Sequence, residues 1–169
     1  MSPNLEIELV AKYPKIYRDY NGDIMATNMA WGMEHDDGWG TLVDCLCKNI
    51  QDHIDNSIES VKRYEESENK DSWYKKPEIV SQVIVDQQKE KFGGLRFYCS
   101  GGDDIIDGMV TMAESLSYKI CENCGHPGSP DENDSWIKTL CKRCRRRNKP
   151  SKIYPRIDGE DIRKALGGE

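Results

Sequence analysis

The clearest periodic pattern along the chain is a run of apolar residues spaced three and four positions apart. The run consists of Leu42, Val43, Leu46, Cys47, Ile50, Ile54, Ile58 and Val61. Because an α-helix turns every 3.6 residues, this spacing places the side chains on one face and predicts an amphipathic helix. Cys47 belongs to that face, so we expect a buried free thiol there, whereas Cys45 lies off the face.

A second pattern, of period two, predicts a β-hairpin over about residues 79–100. One face of its second arm is apolar and consists of Leu95, Phe97 and Cys99. Gly93 and Gly94 separate the arms, and this dipeptide suits a two-residue turn that needs positive φ.

Helical spacing returns at about 104–118. Its apolar positions are Ile105, Ile106, Met109, Val110, Met112, Ala113 and Leu116. Asp103 or Asp104 is suited to cap the helix N-terminus. Two amphipathic helices with a hairpin predict an α+β fold, in which a small antiparallel sheet packs with two helices.

The stretches between these elements are more polar. Tyr13, Tyr17 and Tyr20 share a helical face, and we expect their rings to cover the core. Residues 23–40 are typical of a loop with a short strand, and the charged stretch 63–77 predicts a helix end followed by an exposed loop.

Length and composition suit one domain with a small appendage, since the chain has 169 residues, of which 37% are apolar. We divide it into a body (1–119), a metal module (120–148) and a tail (149–169). An apolar run near 20 residues is missing, as is a signal-peptide core at the start, so we expect a cytoplasmic protein without a membrane partner.

The cysteines carry the most specific signal in the sequence. Four of the seven form the pattern C-x2-C-x16-C-x2-C at Cys121, Cys124, Cys141 and Cys144. Two C-x-x-C pairs at this separation supply the four soft ligands of tetrahedral Zn²⁺. Iron in the same ligand set, a pair of disulfides and two redox dithiols are the alternatives.

Four cysteine ligands leave no coordination position for water or substrate, so the predicted zinc is structural rather than catalytic. His126 is then redundant as a ligand and is interpreted as a loop residue. Because residues 120–145 include few apolar side chains, we expect this segment to unfold when the metal is removed.

Charge is distributed unevenly along the chain. Residues 1–137 include 13 Lys and Arg against 26 Asp and Glu, whereas residues 138–156 include nine basic residues and no acidic ones. The basic residues are Lys138, Lys142, Arg143, Arg145, Arg146, Arg147, Lys149, Lys152 and Arg156. With Trp136 they form a candidate binding surface for nucleic acid or for an acidic protein. A solvated tail, or docking on the protein's own acidic body, are the alternatives.

Two acidic segments are candidates for a hard-metal or acid–base site. Glu34-His35-Asp36-Asp37 and Asp103-Asp104 together have the carboxylates that Mg²⁺ or Mn²⁺ prefers, and a metal-dependent enzyme would require the two segments to meet. The competing interpretations are a solvated acidic turn at 34–37 and a helix cap at 103–104.

The four-cysteine arrangement resembles a zinc ribbon or a treble clef. In a treble clef, a knuckle supplies two ligands and the start of a helix supplies the other two, which here implies a helix start at CKRCRRRNK. More widely, the strings DGWGTLVDCLCKNIQ, EKFGGLRFYCSGGDD and CENCGHPG…WIKTLC resemble uncharacterised small phage- or prophage-encoded proteins. That resemblance implies a phage accessory protein, and the leading hypothesis is a non-enzymatic binding protein that inhibits or redirects a host or defence macromolecule.

Overall fold

The apolar face of the predicted long helix and the apolar face of the hairpin meet in one hydrophobic core. We describe the protein from a computed structural model that covers residues 1–67, 75–131 and 136–147. Part of the predicted 63–77 loop, Lys149, Lys152, Arg156 and the predicted tail 149–169 lie outside the described residues.

The described residues form four α-helices and five strands. The helices are α1 (Pro3–Lys12), α2 (Gly40–Glu66), α3 (Asp104–Ser117) and α4 (Lys142–Arg147), and the strands are β1 (Met33–Glu34), β2 (Ser81–Lys91), β3 (Gly94–Gly102), β4 (Ser129–Pro130) and β5 (Thr139–Leu140). Two short 3-10 turns, Asn28–Trp31 and Asp37–Trp39, precede α2. The predicted α+β class is confirmed. In this part of the chain, no helix has the length and apolarity that crossing a bilayer demands.

The core is built by the residues that the apolar periodicities selected. Val43, Leu46, Cys47, Ile50, Ile54 and Val61 of α2 are buried, as are Tyr13, Tyr17 and Tyr20. The thiol of Cys47 is free, and burial raises its pKa to about 12. Both predictions, of a helical core face and of a buried free thiol, are confirmed.

The main sheet has the strand order β1-β2-β3, with β2 and β3 antiparallel and β1 parallel to β2. The sheet is therefore mixed, whereas the sequence predicted a purely antiparallel one. The prediction missed β1 because a two-residue strand is too short to show an alternating pattern. The predicted turn is also displaced by one residue. Lys91 pairs with Gly94, so the two turn residues are Phe92 (φ 53°) and Gly93 (φ 77°).

Helix α3 lies along the outer edge of β3, where strand N–H groups have no further strand to pair with. The backbone N–H of Leu95 donates to Ser117 Oγ at 2.9 Å, and that of Phe97 donates to Glu114 Oε1 at 3.0 Å. Asp103 caps α3 as expected, since its side chain accepts from the N–H of Ile106. The helix thus satisfies the edge of the sheet with side chains.

The predicted buried face of α3 is partly wrong. Ile106 and Ala113 are buried, but Ile105, Met112 and Leu116 are exposed by 56%, 61% and 44%. The helix uses Glu114 and Ser117 to contact the β3 edge, which rotates these three apolar residues out of the core. Helical spacing alone does not reveal that rotation.

Candidate metal centre

The first cysteine pair is held in a tight turn that directly follows α3. The N–H groups of Cys124 and Gly125 both donate to the carbonyl of Cys121, at 3.3 Å and 2.9 Å. Gly125 has φ of 74°, a conformation that glycine adopts without steric cost. This turn aims the two sulfur atoms at one point.

The second pair lies where the small hairpin β4–β5 leads into α4. Cys141 precedes the helix and Cys144 lies in its first turn, where the N–H of Cys144 donates to Cys141 Sγ at 3.4 Å. The expected helix start at the second cysteine pair is therefore present. Knuckle, hairpin and helix start together position the four cysteines.

The four sulfur atoms lie within 4.8 Å of one another. Cys124 Sγ is 3.7 Å from Cys141 Sγ and 3.5 Å from Cys144 Sγ. A tetrahedron with Zn–S bonds of about 2.3 Å has S···S edges of about 3.8 Å, so these two distances match such a shell and the cluster is compact enough to close around one cation. These four cysteines can hold a metal ion, and the donor set is consistent with zinc.

Electrostatics within the cluster favour a cation. The N–H of Cys144 lowers the pKa of Cys141 to about 6, which makes that sulfur a ready thiolate. Burial raises the pKa of Cys144, and the neighbouring sulfur atoms raise it further. Their effect arises because a second thiolate so close to the first would be repelled by it. A bound dication would supply the positive charge that lets all four sulfurs ionise.

His126 takes no part in this ligand set. Its ring is exposed, and its Nδ1 lies 3.3 Å from the carbonyl of Cys124. Its own carbonyl accepts from the N–H of Cys121 at 2.7 Å. The prediction that His126 is a loop residue is confirmed.

The metal module is joined to the rest of the protein by backbone contacts at the Asp37–Trp39 turn. The N–H of Gly38 donates to the carbonyl of Glu122 at 2.6 Å, and Trp39 Nε1 donates to the carbonyl of Ile120 at 2.9 Å. A Cβ on Gly38 would overlap the carbonyl oxygens of both Cys121 and Glu122. Only glycine permits so close an approach here.

A second junction joins the module to the tip of the β2–β3 hairpin. Thr139 is fully buried and its Oγ1 donates to the carbonyl of Gly93 at 2.6 Å. Trp136 Nε1 donates to Glu90 Oε2 at 3.2 Å, although the residue is 67% exposed. The module therefore contacts both the hairpin tip and the turn before α2.

Lys138 is the cation of a half-buried ion cluster at this junction. Its Nζ lies 3.6 Å from Asp36 Oδ2 and 3.6 Å from Glu122 Oε2. Glu122 is 1% exposed, and burial raises the pKa of its carboxyl to about 7, although Lys138 opposes that rise. The charge of Lys138, which the sequence assigned to the binding surface, is thus engaged inside the protein.

The interpretation of 34–37 as a solvated acidic turn is wrong for its central residues. His35 is 4% exposed, and its Nε2 accepts from Gln88 Nε2 at 2.6 Å. Gln88 Oε1 accepts from the Tyr17 hydroxyl at 2.8 Å. The same hydroxyl oxygen lies 3.3 Å from Cys47 Sγ. This chain of buried polar groups is complete only when His35 is neutral with its proton on Nδ1, where the carbonyl of Asp36 is 2.9 Å away.

Burial lowers the pKa of His35 to about 4, which predicts a loss of stability in acid. The folded state favours the neutral ring. Its contribution to the free energy of unfolding is therefore fully present above the unfolded-state pKa of about 6.5, and it is lost as the pH falls toward 4. On acidification from pH 8 to pH 5, we expect protonation of this one group to lower the free energy of unfolding by about 2 kcal/mol. Urea unfolding across that range should show a steeper decline for the wild type than for His35→Gln, and parallel curves would contradict the assignment.

The two acidic segments do not meet, so a shared hard-metal site is not formed. Glu34 pairs with Lys89 near the hairpin tip, whereas Asp103 follows Gly102, which pairs with Ser81 at the other end. At about 3.3 Å per residue, the two segments are roughly 25 Å apart along β2. Asp103 instead caps α3 and lies 2.8 Å from His53 Nε2. Within the described ranges, the four cysteines are the only cluster of three or more potential ligands.

The described basic residues of α4 divide into two groups. Arg145 turns back onto β4, where it donates to the carbonyls of Ser129 and Pro130 and lies 3.5 Å from Asp131. The other four are exposed, namely Lys142, Arg143, Arg146 and Arg147. None of these four forms an ion pair with a described residue.

Sequence reasoning missed Gly38 and the Lys138 cluster, because each depends on contacts between segments that are distant along the chain. The glycine in the string DGWG predicts only a turn, and a lysine inside a basic run indicates only a positive charge. Neither indicates which residues the glycine or the lysine contacts.

No family model matches the chain, and neither a curated protein nor a solved structure matches it.

Proposed function

We propose that this protein is a non-enzymatic binding protein in which structural zinc holds a cationic helix face against a macromolecular partner. The observation that carries the proposal is the exposed face of α4. Four cations project from a helix whose first turn supplies a metal ligand, and they are unpaired within the described part of the chain.

The metal acts as a scaffold in this proposal. Four thiolates fill a tetrahedral shell, so no position is left at which water or a substrate can be activated. What the ion supplies is rigidity, because it fixes the start of α4 relative to the knuckle. A preorganised surface loses less conformational entropy on binding than a flexible basic tail does.

The shape of the cationic face supports a specific contact. Lys142, Arg143, Arg146 and Arg147 cover about 140° of the helix circumference at 100° per residue. Cys144 and Arg145 occupy the remaining side, where they contact the metal cluster and β4. The charges therefore face one direction on a protein whose formal net charge is −6.

The biological role in this proposal is that of a phage accessory protein acting in the host cytoplasm. The support is the resemblance of three sequence strings to small phage- or prophage-encoded proteins. A small rigid protein with a cationic face can bind an acidic surface of a host or defence complex and block or redirect it.

Charge reversal on α4 tests this proposal. The triple variant Arg143→Glu, Arg146→Glu and Arg147→Glu is expected to lose its host-cell partners in a pull-down treated with nuclease, because the electrostatic match is inverted. Arg145 stays unchanged, since its contacts with β4 are structural. The triple variant Lys62→Glu, Arg63→Glu and Lys75→Glu, at exposed positions outside α4, has the same change in net charge and is the control. Retention of the same nuclease-resistant partners by the triple variant would falsify the proposal.

Nucleic-acid binding through segment 138–156 is the second candidate function. The observation that favours it is the density of cations, since four lie within two turns of α4 and each can neutralise a phosphate. Loss of partners on nuclease treatment, together with affinity for labelled nucleic acid that the triple variant lacks, would favour this candidate over a protein partner.

A further inference from the structure

The outer face of the β2–β3 hairpin is a second cationic surface, separate from α4. Leu95 and Phe97 are buried, so their neighbours in β3, Arg96 and Tyr98, point to the opposite face of the sheet. Arg96 pairs directly with Lys89 of β2. Basic and aromatic residues therefore alternate on the face that the core does not use.

Each cation on this hairpin lies over an aromatic ring. Lys89 Nζ is 5.8 Å from the centre of the Tyr98 ring, and Lys91 Nζ is 5.7 Å from that of Phe92. The Arg96 guanidinium is 5.9 Å from the Tyr118 ring and donates to its hydroxyl at 2.9 Å. Cation–π contacts place these charges beside the rings.

The three cations are unpaired in an acidic protein. Lys89, Lys91 and Arg96 form no ion pair with any residue in the ranges that the structure covers. Glu34 is the acidic residue of the adjoining β1, and its carboxylate accepts from Gln87 at 3.3 Å. Behind the larger effects of burial and of Tyr118, Glu114 also lies close enough to Arg96 to raise the pKa of its guanidinium. Three cations outnumber these two carboxylates, which leaves a net positive charge that an anionic partner can neutralise.

Phe92 is a costly residue at the hairpin tip. Its φ of 53° is unfavourable for a bulky side chain, and turns of this kind prefer Asn, Asp or Gly. The ring is 68% exposed, so burial does not offset that strain. Strained and exposed aromatic residues are typical of functional positions.

Trp136 lies at the hairpin tip on the other face from Arg96 and Tyr98, because Glu90, to which it donates, pairs with buried Leu95. Its hydrogen bond to Glu90 and the bond of Thr139 to Gly93 hold the metal module beside Phe92. Two large rings, 67% and 68% exposed, thus lie at one end of the hairpin.

We propose that single-stranded nucleic acid binds on this surface, which we call the hairpin platform. It consists of Lys89, Lys91, Phe92, Arg96 and Tyr98. The cations neutralise backbone phosphates, and the rings offer stacking faces that any unpaired base can use. A duplex keeps its bases stacked internally, so the platform discriminates in favour of single strands. The proposal does not depend on the α4 surface or on its partner.

Binding is tested by fluorescence anisotropy with the full-length, metal-loaded protein and labelled dT12, its RNA equivalent and a 12-base-pair duplex. We expect the single strands to bind more tightly than the duplex. With three phosphates neutralised, log affinity should fall with log salt at a slope of about −2. The absence of single-strand binding at low salt, or equal binding of the duplex, would overturn the proposal.

Substitutions distinguish stacking from charge. Tyr98→Ala should weaken single-strand binding roughly 5- to 100-fold, whereas Tyr98→Phe, which keeps the ring, should bind as the wild type does. Lys89→Ala should reduce the salt slope by about 0.7, and Lys62→Ala on α2 is its matched control. Binding by Tyr98→Ala at wild-type strength would contradict the platform.

Phe92→Asn provides a variant in which misfolding does not explain a loss of binding. Asparagine tolerates the positive φ, so the thermal midpoint should rise or stay level while the affinity for the single strand falls. An unchanged affinity in this variant would also overturn the role of the hairpin tip.

Discussion

Removal of the metal is expected to unfold residues 120–147 and to cost on the order of 10 kcal/mol, the size of structural zinc binding in small modules. The segment has little core of its own, since the buried residues in its described parts, 120–131 and 136–147, are Cys121, Glu122 and Thr139. Its strands β4 and β5 have two residues each. Without the ion, the positive charge that attracts the four sulfur atoms to one point is removed.

The measurement combines chelation with limited proteolysis and metal release. A chromophoric chelator should report one metal ion per chain, and cleavage should begin in the module, while the β2–β3 hairpin and α2 stay protected. Cys124→Ser should have the same effect, whereas Cys45→Ser, at an exposed position outside the cluster, should not. Equal protection before and after chelation would contradict a structural metal.

Gly38→Ala is expected to destabilise the protein by about 3 kcal/mol or more, because the added Cβ overlaps backbone atoms of the metal knuckle. The overlapping atoms belong to Cys121 and Glu122, and neither carbonyl can move without disturbing the cysteine turn. Urea unfolding should show the loss, and metal affinity should fall with it, since the knuckle is displaced.

Gly108→Ala is the matched control for that substitution. Gly108 lies inside α3, and an added Cβ meets nothing within 4 Å. Alanine is the better helix former, so this variant should gain about 0.5–1 kcal/mol. Opposite signs for the same chemical change would show that the steric contact of Gly38, rather than the loss of a glycine, is responsible. Similar small effects at both positions would mean that the module docks differently.

Local signals predicted most of the secondary structure and the clustering of the four cysteines. Two C-x-x-C pairs need only their own spacing to bring four sulfurs together, and the Asp103 cap acts on an N–H three residues away. The α2 face was predictable because that face packs directly on the core. In each case a spacing pattern in the sequence marks the residues involved, even where their partners lie further along the chain.

Features that depend on distant segments were not predictable. Asp36 and Lys138 are about a hundred residues apart in sequence, so nothing local indicates that Lys138 is an interior counterion. The α3 face was misassigned because the contact of Glu114 with the β3 edge sets the rotation of the helix. The position of Phe92 in the turn was missed for the same reason. The pairing of Lys91 with Gly94 determines that Phe92 and Gly93 are the two turn residues.

The side-chain bonds from α3 to β3 also affect how the protein behaves at high concentration. An open strand edge is a template on which further strands, from other copies, can add and grow into fibrils. Here Glu114 and Ser117 occupy donors along the outer edge of β3. On the other side of the sheet, β1 pairs with Gln88 and Lys89 of β2, and the N–H of Val85 donates to the carbonyl of Ile16. The occupied β3 edge is a poor template for an added strand, which disfavours cross-β growth from that side.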